Sequence, residues 1–297
     1  MKQSKQILAI LLTCIAAICL IAAVVLLFKY AKEDMQSEAV LEEFRPIAGE
    51  ILEPVITPAA VQAIPITPEP TIEPSPIPAA TDAPTPSPTV VPTPEPIPNP
   101  YAESYLANAD MAGWLVIPNT KIDYPVMWTP EDENYYLRRG FDKKKNSAGC
   151  LILDTDSSLE PLTTNLIIHG HNMKAGTMFG TLSKYEDEDF YKEHKQIILH
   201  TRECRRNYEV IAVFRSQVYK KTDTVFKFYK FFRANTHEEF DDFYTNIKNM
   251  SLYDTGVTAE LGDRFITLST CSYHVDNGRF VVVAKEVEPG PYYLPIE

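Results

Sequence analysis

The sequence is poor in positive charge, and nothing in it resembles the basic stripe of a nucleic-acid-binding protein. Over 297 residues the acidic side chains outnumber the basic ones, which gives a formal net charge of -12 at pH 7. Because nucleic-acid surfaces are bound by clustered Lys and Arg, this balance argues against that class of partner. The acidity favours solubility without identifying what the protein binds.

Cysteine is also scarce, and the five present do not suggest a disulfide framework. Cys14 and Cys19 lie in an apolar N-terminal run, which leaves three in the globular part and therefore at least one free thiol. Cys150, in the apolar run AGCLILD, is typical of a small buried hydrophobe. Cys204 falls in a predicted hairpin turn among arginines, where we expect a surface residue. Cys271 is the candidate nucleophile.

Charge is absent from the first long apolar run, Ile7 to Phe28. As a helix this run would span about 33 Å, enough to cross a bilayer. A cleaved signal peptide is the alternative, but its apolar core is normally shorter and is followed by a better small-x-small site. Lys2 and Lys5 precede the run and acidic residues follow it, which favours a cytoplasmic N-terminus. Residues 1–32 are therefore predicted to form an anchor in the cell membrane, with the rest of the chain extracytoplasmic.

Proline is concentrated in one segment. Pro54 to Pro100 contains sixteen of the chain's 24 prolines. Prolines at this density remove backbone donors and prevent a helix or a central strand. We expect extended polyproline II with a reach of about 145 Å, a spacer that holds the following domain away from the membrane. Residues 33–45 before it indicate a short, acidic, helix-compatible stalk, and stalk and spacer together cover 33–100.

Residues 101–297 have the composition of a globular domain that can bury one substantial core. Short apolar runs separated by turns predict a mostly antiparallel barrel or sandwich. These runs are GWLVIP, KIDYPVMW, AGCLILD, NLIIHGH, KQIILHT, NYEVIAVFRSQV, TVFKFYKFF, RFITLST and RFVVVAK. Helical segments are predicted at Tyr105–Met111, near Met178–Leu182 and, behind a capping box at Thr236 and Glu239, over 236–250.

A cysteine and an arginine are predicted to meet at one edge of the sheet. Asn277-Gly278 readily accepts positive φ, and we expect this dipeptide to reverse the chain. The strand that ends at Cys271 would then pair with the strand that begins at Arg279. A thiol beside a permanent cation is poised to become a thiolate, which is the nucleophilic form.

Cysteine chemistry also needs a proton carrier, for which histidine is the usual residue. His169 and His171 lie two apart where a strand runs into a loop, and they are expected to share a face. His274, three residues after the cysteine, is a local competitor for the role. His169 and His171 also form an HxH pair, which suits a zinc hydrolase, but no further ligand pattern follows in HNMKAG.

Three ordered motifs resemble the signature of the sortase family. They are NLIIHGHNM (165–173), TLSTC (267–271) and the arginine that opens RFVVVAK (279–285). GWLVIPNTKIDYPV, MFGTLSKY and the helix before the cysteine strand are similar to class B, whose members are cysteine transpeptidases of Gram-positive bacteria. The resemblance covers about 101–288. It implies a mostly β fold, an eight-stranded sortase-type barrel with an N-terminal helix and an inserted helix before the cysteine strand.

The resemblance also implies roles for individual residues. The implied catalytic residues are His171, Cys271 and Arg279, and the implied substrate-binding residues are Ser269, Thr270 and His169. Cysteine would attack the Thr carbonyl of a C-terminal sorting signal of NPxTx or xPxTG type, and the thioacyl-enzyme would pass to an amine. His169 departs from the family pattern, because many relatives have Tyr at that position. No cofactor and no metal are implied.

Several alternatives remain open at this point. The accepting amine is expected to belong to a peptidoglycan cross-bridge, but a pilin-polymerising enzyme would use the Lys of the next subunit. An HxH metal hydrolase would lose activity to a chelator. A non-enzymatic surface protein on a Pro-rich stalk would tolerate Cys271→Ala.

Overall fold

The computed structural model describes residues 2–46, 95–288 and 290–297 of the chain. The predicted polyproline spacer lies almost wholly outside the described residues. The globular part contains eight strands: β1 (Met111–Val116), β2 (Asp123–Met127), β3 (Leu151–Leu153), β4 (Asn165–Gly170), β5 (Gln196–His200), β6 (Arg205–Gln217), β7 (Phe265–Cys271) and β8 (Gly278–Glu286).

The eight strands form one closed barrel in the order β1-β2-β3-β4-β7-β8-β6-β5. Two neighbouring pairs, β2 with β3 and β4 with β7, are parallel, and the other pairs are antiparallel. Closure leaves no unpaired sheet edge, which suits strands this rich in Val, Ile and Phe. The prediction of a mostly antiparallel, eight-stranded barrel is confirmed.

Within the described residues, four α-helices accompany the barrel: α1 (Lys2–Glu42), α2 (Ala102–Ala107), α3 (Glu188–Glu193) and α4 (His237–Met250). The predicted helix at 236–250 is confirmed, but the two shorter predictions were misplaced. The first helix ends at residue 107 because Asn108 is extended and its Oδ1 accepts the Asp110 amide at 3.0 Å. The second prediction failed at Met178, where a φ of 51° is incompatible with a right-handed helix. Helical turns begin instead at Leu182.

The run TVFKFYKFF was predicted as a strand, and this prediction was wrong. The segment is irregular except for a 3₁₀ turn at Phe228–Lys230. Asn165 at the start of β4 binds its carbonyls: the Asn165 amide donates to Phe232 O at 3.1 Å, and its Nδ2 donates to Phe231 O at 2.9 Å. The aromatic rings pack on α4, with the Phe231 and Phe243 rings stacked 3.8 Å apart. The apolar character therefore reflects packing and not strand pairing.

The apolar side chains form two layers. One fills the barrel and its rim, and the other lies between the barrel wall and α4. Phe243 and Ile247 of α4 are almost fully buried against Phe265 of β7 and Val281 of β8. Each such side chain contributes about 1.5–3 kcal/mol by leaving water, so this layer fixes the two strands that carry the cysteine and the arginine.

Cys204 is not the surface residue that its turn suggested. It is 5% exposed. The C-terminal segment covers it. The main chain of Cys204 forms an isolated β-bridge with Tyr292, and the Tyr293 amide donates to Glu203 O at 2.7 Å. Coverage by a distant segment is a tertiary effect that local sequence does not indicate.

The helix α1 contains an apolar stretch long enough to cross a membrane, a pattern shared by anchors and signal sequences. Its C-terminal part packs on the barrel. Tyr124 donates to Glu38 at 3.0 Å, and Arg45 lies 3.3 Å from Asp123. Leu41 is 2% exposed. Residues 33–45, predicted as a short acidic, helix-compatible stalk, are helical through Glu42 and contact the barrel surface.

We expect Thr236→Ala to lower the free energy of unfolding by about 1 kcal/mol, because it removes the N-cap of α4. Thr236 Oγ1 accepts the Glu239 amide at 3.2 Å, and Glu239 Oε2 in turn accepts the Asn235 amide at 2.7 Å. Urea unfolding of the full chain measures the change. Thr222→Ala is the control, because it removes a threonine hydroxyl from an exposed turn that caps no helix. Equal stability of the two variants would contradict the capping role.

Candidate active site

The parallel pairing of β4 with β7 brings the candidate residues to one rim of the barrel. His169 is in register with Ser269, and Gly170 is in register with Thr270. On the other side of β7, Cys271 pairs with Arg279 of β8. A cleft of about 500 Å³ opens at this rim and is lined by Cys271, Arg279, His169 and His171, among others.

The turn between β7 and β8 forms as the sequence predicted. Asn277 has a φ of 56°, and the Ser272 amide donates to Gly278 O at 2.9 Å. Arg279 Nη1 donates to two carbonyls of this turn, Asn277 O at 3.3 Å and Gly278 O at 3.0 Å. The turn thus orients the guanidinium while leaving its other N–H groups for a ligand in the cleft.

His171 is partly exposed, and one of its ring nitrogens is fixed by a main-chain carbonyl. Its Nε2 lies 2.9 Å from Leu137 O. Because a carbonyl only accepts, Nε2 carries the hydrogen, and Nδ1 is the nitrogen left to take up or release a proton. The residue between the two histidines must be glycine: a Cβ on Gly170 would lie 2.6 Å from side-chain carbons of Leu151 and Phe179. Because Gly170 has no side chain, Leu151 and Phe179 can pack directly against the main chain between the two histidines.

Two thiols line the cleft, and their surroundings differ. Cys150 is 6% exposed, and burial raises the pKa of its thiol far above the ordinary value. Its Sγ contacts Arg139 O at 3.4 Å. Cys271 is partly exposed at the strand end beside Arg279. Cys150 therefore remains a protonated core residue, as its sequence context predicted, and Cys271 is the accessible thiol.

Asn172 holds the main chain of the cysteine in place, a role that its sequence pattern did not predict. Its Nδ2 donates to the main-chain oxygen of Cys271 at 2.8 Å. A second bond ties the same two strands, from Thr270 Oγ1 to Gly170 O at 2.8 Å. Asn172 directly follows His171 in the sequence, so one segment presents the histidine and positions the cysteine. That adjacency was the signal available in the sequence.

The three predicted substrate-binding residues differ in how their polar groups are used. Thr270 is 1% exposed, and its hydroxyl is already bonded to Gly170 O. Ser269 is also 1% exposed, and its Oγ has no hydrogen-bond partner among the described residues. An unpartnered buried hydroxyl at a cleft wall is available to a ligand. His169 lines the same wall.

His169 forms a pair with Asp154 that the sequence did not predict. Its Nε2 lies 3.1 Å from Asp154 Oδ2. Burial alone would raise the pKa of the Asp154 carboxyl, but hydrogen bonds from His169 and the Asp156 amide outweigh it and hold that pKa below its ordinary value of 3.8. The carboxylate therefore stays charged and orients the imidazole in the cleft wall.

His274 lies outside this arrangement. Its ring is exposed on the turn, with Nδ1 2.9 Å from Ser272 Oγ, and it does not line the cleft. The HxH pair is likewise not extended: among residues 2–46, 95–288 and 290–297 no group of three or more His, Cys, Asp or Glu side chains is arranged to hold a metal ion.

Comparison with known proteins identifies the family. Residues 115–287 match the model of the sortase domain. Sortase B of Listeria monocytogenes serovar 1/2a (strain ATCC BAA-679 / EGD-e) is 37% identical over 182 residues, which cover 61% of this chain and 71% of the relative. The chain belongs to the sortase family of cysteine transpeptidases.

Solved structures place the chain within that family. Sortase B from Bacillus anthracis in complex with AAEK1 is 32% identical, with a TM-score of 0.55, and the match covers 64% of this chain and 84% of that one. The Staphylococcus aureus sortase B–substrate complex is 26% identical, with a TM-score of 0.58, and the match covers 65% and 87%. The chain is a class B sortase, as the motifs suggested.

We expect Asp154→Asn to destabilise the protein by about 1 kcal/mol at pH 7, because it removes a charge-assisted hydrogen bond to His169. A carboxyl whose pKa is lowered on folding contributes stability above its ordinary pKa of 3.8, and that contribution disappears as the pH falls through the lowered value. The difference from wild type should therefore shrink below about pH 4. Urea unfolding across pH measures it.

The exposed neighbour Asp156 provides the control. Asp156→Asn keeps the main-chain amide that binds Asp154 and changes only a solvent-exposed carboxyl. A difference between Asp154→Asn and wild type that stays constant from pH 7 to pH 3 would contradict the assignment of a charged pair.

Proposed function

We propose that this protein is a membrane-anchored transpeptidase that cleaves a C-terminal sorting signal after Thr and transfers the protein to an amine of the peptidoglycan cross-bridge. The observation that carries the proposal is the Cys271–Arg279 register pair, which lines one cleft with His171 at the rim of a sortase barrel. Surface proteins with an NPxTx-like or xPxTG-like signal are the proposed substrates.

The proposed first step is acylation. The Cys271 thiolate attacks the carbonyl carbon of the signal's Thr, and a tetrahedral oxyanion forms. Arg279 donates hydrogen bonds to this oxygen from the N–H groups that its turn leaves free. When the C–N bond breaks, His171 gives a proton to the leaving amine, and a thioester to Cys271 remains.

The proposed second step is aminolysis. The cross-bridge amine attacks the thioester carbonyl, and His171 Nδ1 takes the proton that the amine loses. Collapse of the second tetrahedral intermediate forms the new amide bond and releases the Cys271 thiolate. The bond from His171 Nε2 to Leu137 O supports this role, because it orients the ring without occupying Nδ1.

Substrate binding is proposed for the cleft wall formed by Ser269, Thr270 and His169. The free hydroxyl of Ser269 suits a polar group of the signal. His169, oriented by Asp154, presents its Nδ1 edge where many relatives present Tyr. Thr270 acts through its bond to Gly170 O, which keeps β4 and β7 together beside the cysteine.

The same proposal assigns three parts to the chain. Residues 1–32 form the cytoplasmic N-terminus and a single-pass anchor, 33–100 form an extracytoplasmic connection, and 101–297 form the catalytic domain. The helix α1 runs without interruption from the apolar stretch onto the barrel surface, which supports retention of the anchor. Cleavage of the apolar stretch as a signal peptide would require a cut within this continuous helix, which disfavours that alternative.

We expect wild-type protein incubated with NPxTx and xPxTG peptides to gain the mass of the peptide fragment that ends in Thr. Hydroxylamine should remove the adduct, because it cleaves thioesters. Cys271→Ala should form none, whereas Cys150→Ala should still form it, since the Cys150 thiol is buried and protonated. Intact-mass spectrometry reads all three. An adduct on Cys271→Ala, or one that resists hydroxylamine, would refute the mechanism.

Arg279→Lys should lower the rate of adduct formation by about 100-fold although it keeps the charge, because an ammonium lacks the planar fork of donors. Arg215→Lys is the matched control, since Arg215 is an exposed β6 residue paired with Glu186. The rate of adduct formation is followed by quenched-flow mass spectrometry. Equal rates for Arg279→Lys and Arg215→Lys would remove Arg279 from the oxyanion site.

A further inference from the structure

A second groove lies where α1 leaves its apolar stretch and meets the barrel. It has a volume of about 160 Å³. Leu26, Lys29 and Tyr30 of α1 form one wall, and Arg138 and Lys145 from the segment between β2 and β3 belong to the opposite wall. The groove shares no lining residue with the cleft at Cys271, and its lining combines an apolar end with several cations.

The barrel side of this groove belongs to a dense cluster of positive charge in an otherwise acidic chain. The eight residues of RRGFDKKK, 138–145, contain five cations and one carboxylate. Three of the cations are already engaged: Lys143 pairs with Asp110 at 2.9 Å, Lys144 pairs with Asp142 at 3.0 Å, and Arg139 lies 4.2 Å from the ring of Tyr135.

The other two cations of the cluster, Arg138 and Lys145, face the groove without a counter-charge. Both are exposed, and neither forms an ion pair with any residue that the structure describes. Glu33 is the carboxylate in the lining. It accepts the Ser147 hydroxyl at 2.9 Å, and its other oxygen lies 4.0 Å from Lys29. The groove therefore keeps two free cations beside a carboxylate that is already hydrogen-bonded.

The position of the groove along α1 indicates its depth. Leu26 belongs to the apolar run that ends at Phe28. Glu33 lies seven residues after Leu26, about 10 Å further along the helix. The headgroup layer on one side of a bilayer is about 5–8 Å thick. A groove that touches both residues therefore lies at the level of the headgroups, where Tyr rings and long cationic side chains are favoured.

We propose that this groove binds the phosphate headgroup of an anionic phospholipid. Arg138 and Lys145 donate to the phosphate oxygens, Lys29 approaches from the helix, and Leu26 and Tyr30 contact the glycerol and the first methylene groups. A bound headgroup fills the space between α1 and the barrel and fixes the barrel's orientation on the membrane. This inference rests on the membrane anchor of the proposed function.

The test uses the full chain extracted in a neutral detergent and titrated with phosphatidylglycerol or phosphatidylcholine, with bound lipid counted by native mass spectrometry. We expect the wild type to bind phosphatidylglycerol at least tenfold more tightly. R138Q/K145Q should bring the two lipids to within twofold of each other. K220Q/K221Q removes two exposed lysines elsewhere and should keep the wild-type preference.

Three outcomes would overturn the lipid site. They are equal affinity of the wild type for the two lipids, an unchanged preference in R138Q/K145Q, and displacement of the lipid by millimolar inorganic phosphate, which would indicate a site for soluble anions. The intact mass of the extracted chain separates this question from the anchor. A chain cleaved after the apolar stretch would refute the anchor, whereas an intact chain without preference refutes the lipid site alone.

Discussion

The parallel pairing of β4 with β7 is the constraint on which the site depends. It sets Gly170 beside Thr270, and from that register the histidine and the cysteine both leave the sheet at the same rim. Because side chains alternate along strands, a slip of one residue would turn every one of these groups to the opposite face. The bonds from Thr270 to Gly170 O and from Asn172 to Cys271 O hold the register at its functional end.

Burial decides which of the two cleft thiols can react. Cys150 and Cys271 line the same cleft, but the first is enclosed by apolar side chains and the second ends a strand at the solvent edge. A low-dielectric environment disfavours the thiolate, so burial raises the pKa of the Cys150 thiol and keeps it protonated. The two thiols therefore differ in burial, and in the proposed mechanism the accessible one, Cys271, attacks the substrate.

Much of the fold followed from local pattern, and the errors share one cause. Short apolar runs bounded by turns located the eight strands, and the turn dipeptide located the Cys271–Arg279 pair. The run TVFKFYKFF has the same composition but packs its rings on α4, and Cys204 is covered by a segment about ninety residues away in the sequence. Likewise, no local pattern near His169 predicts its contact with Asp154. The basic run at 138–145 lines a groove only because α1 packs beside it. Tertiary neighbours decide each of these cases.

The packing of α1 on the barrel bears on the predicted role of the proline-rich segment as a spacer. Arg45 pairs with Asp123 before that segment begins, and Ile97, close to the segment's C-terminal end, forms a β-bridge with Tyr293. The described residues before and within the end of this segment, Arg45 and Ile97, therefore both contact the catalytic domain. In the proposed membrane-anchored protein, the distance from the membrane to the cleft would then depend on α1 and the barrel. On that arrangement, a change in the number of prolines would leave Cys271 at the same distance from the membrane.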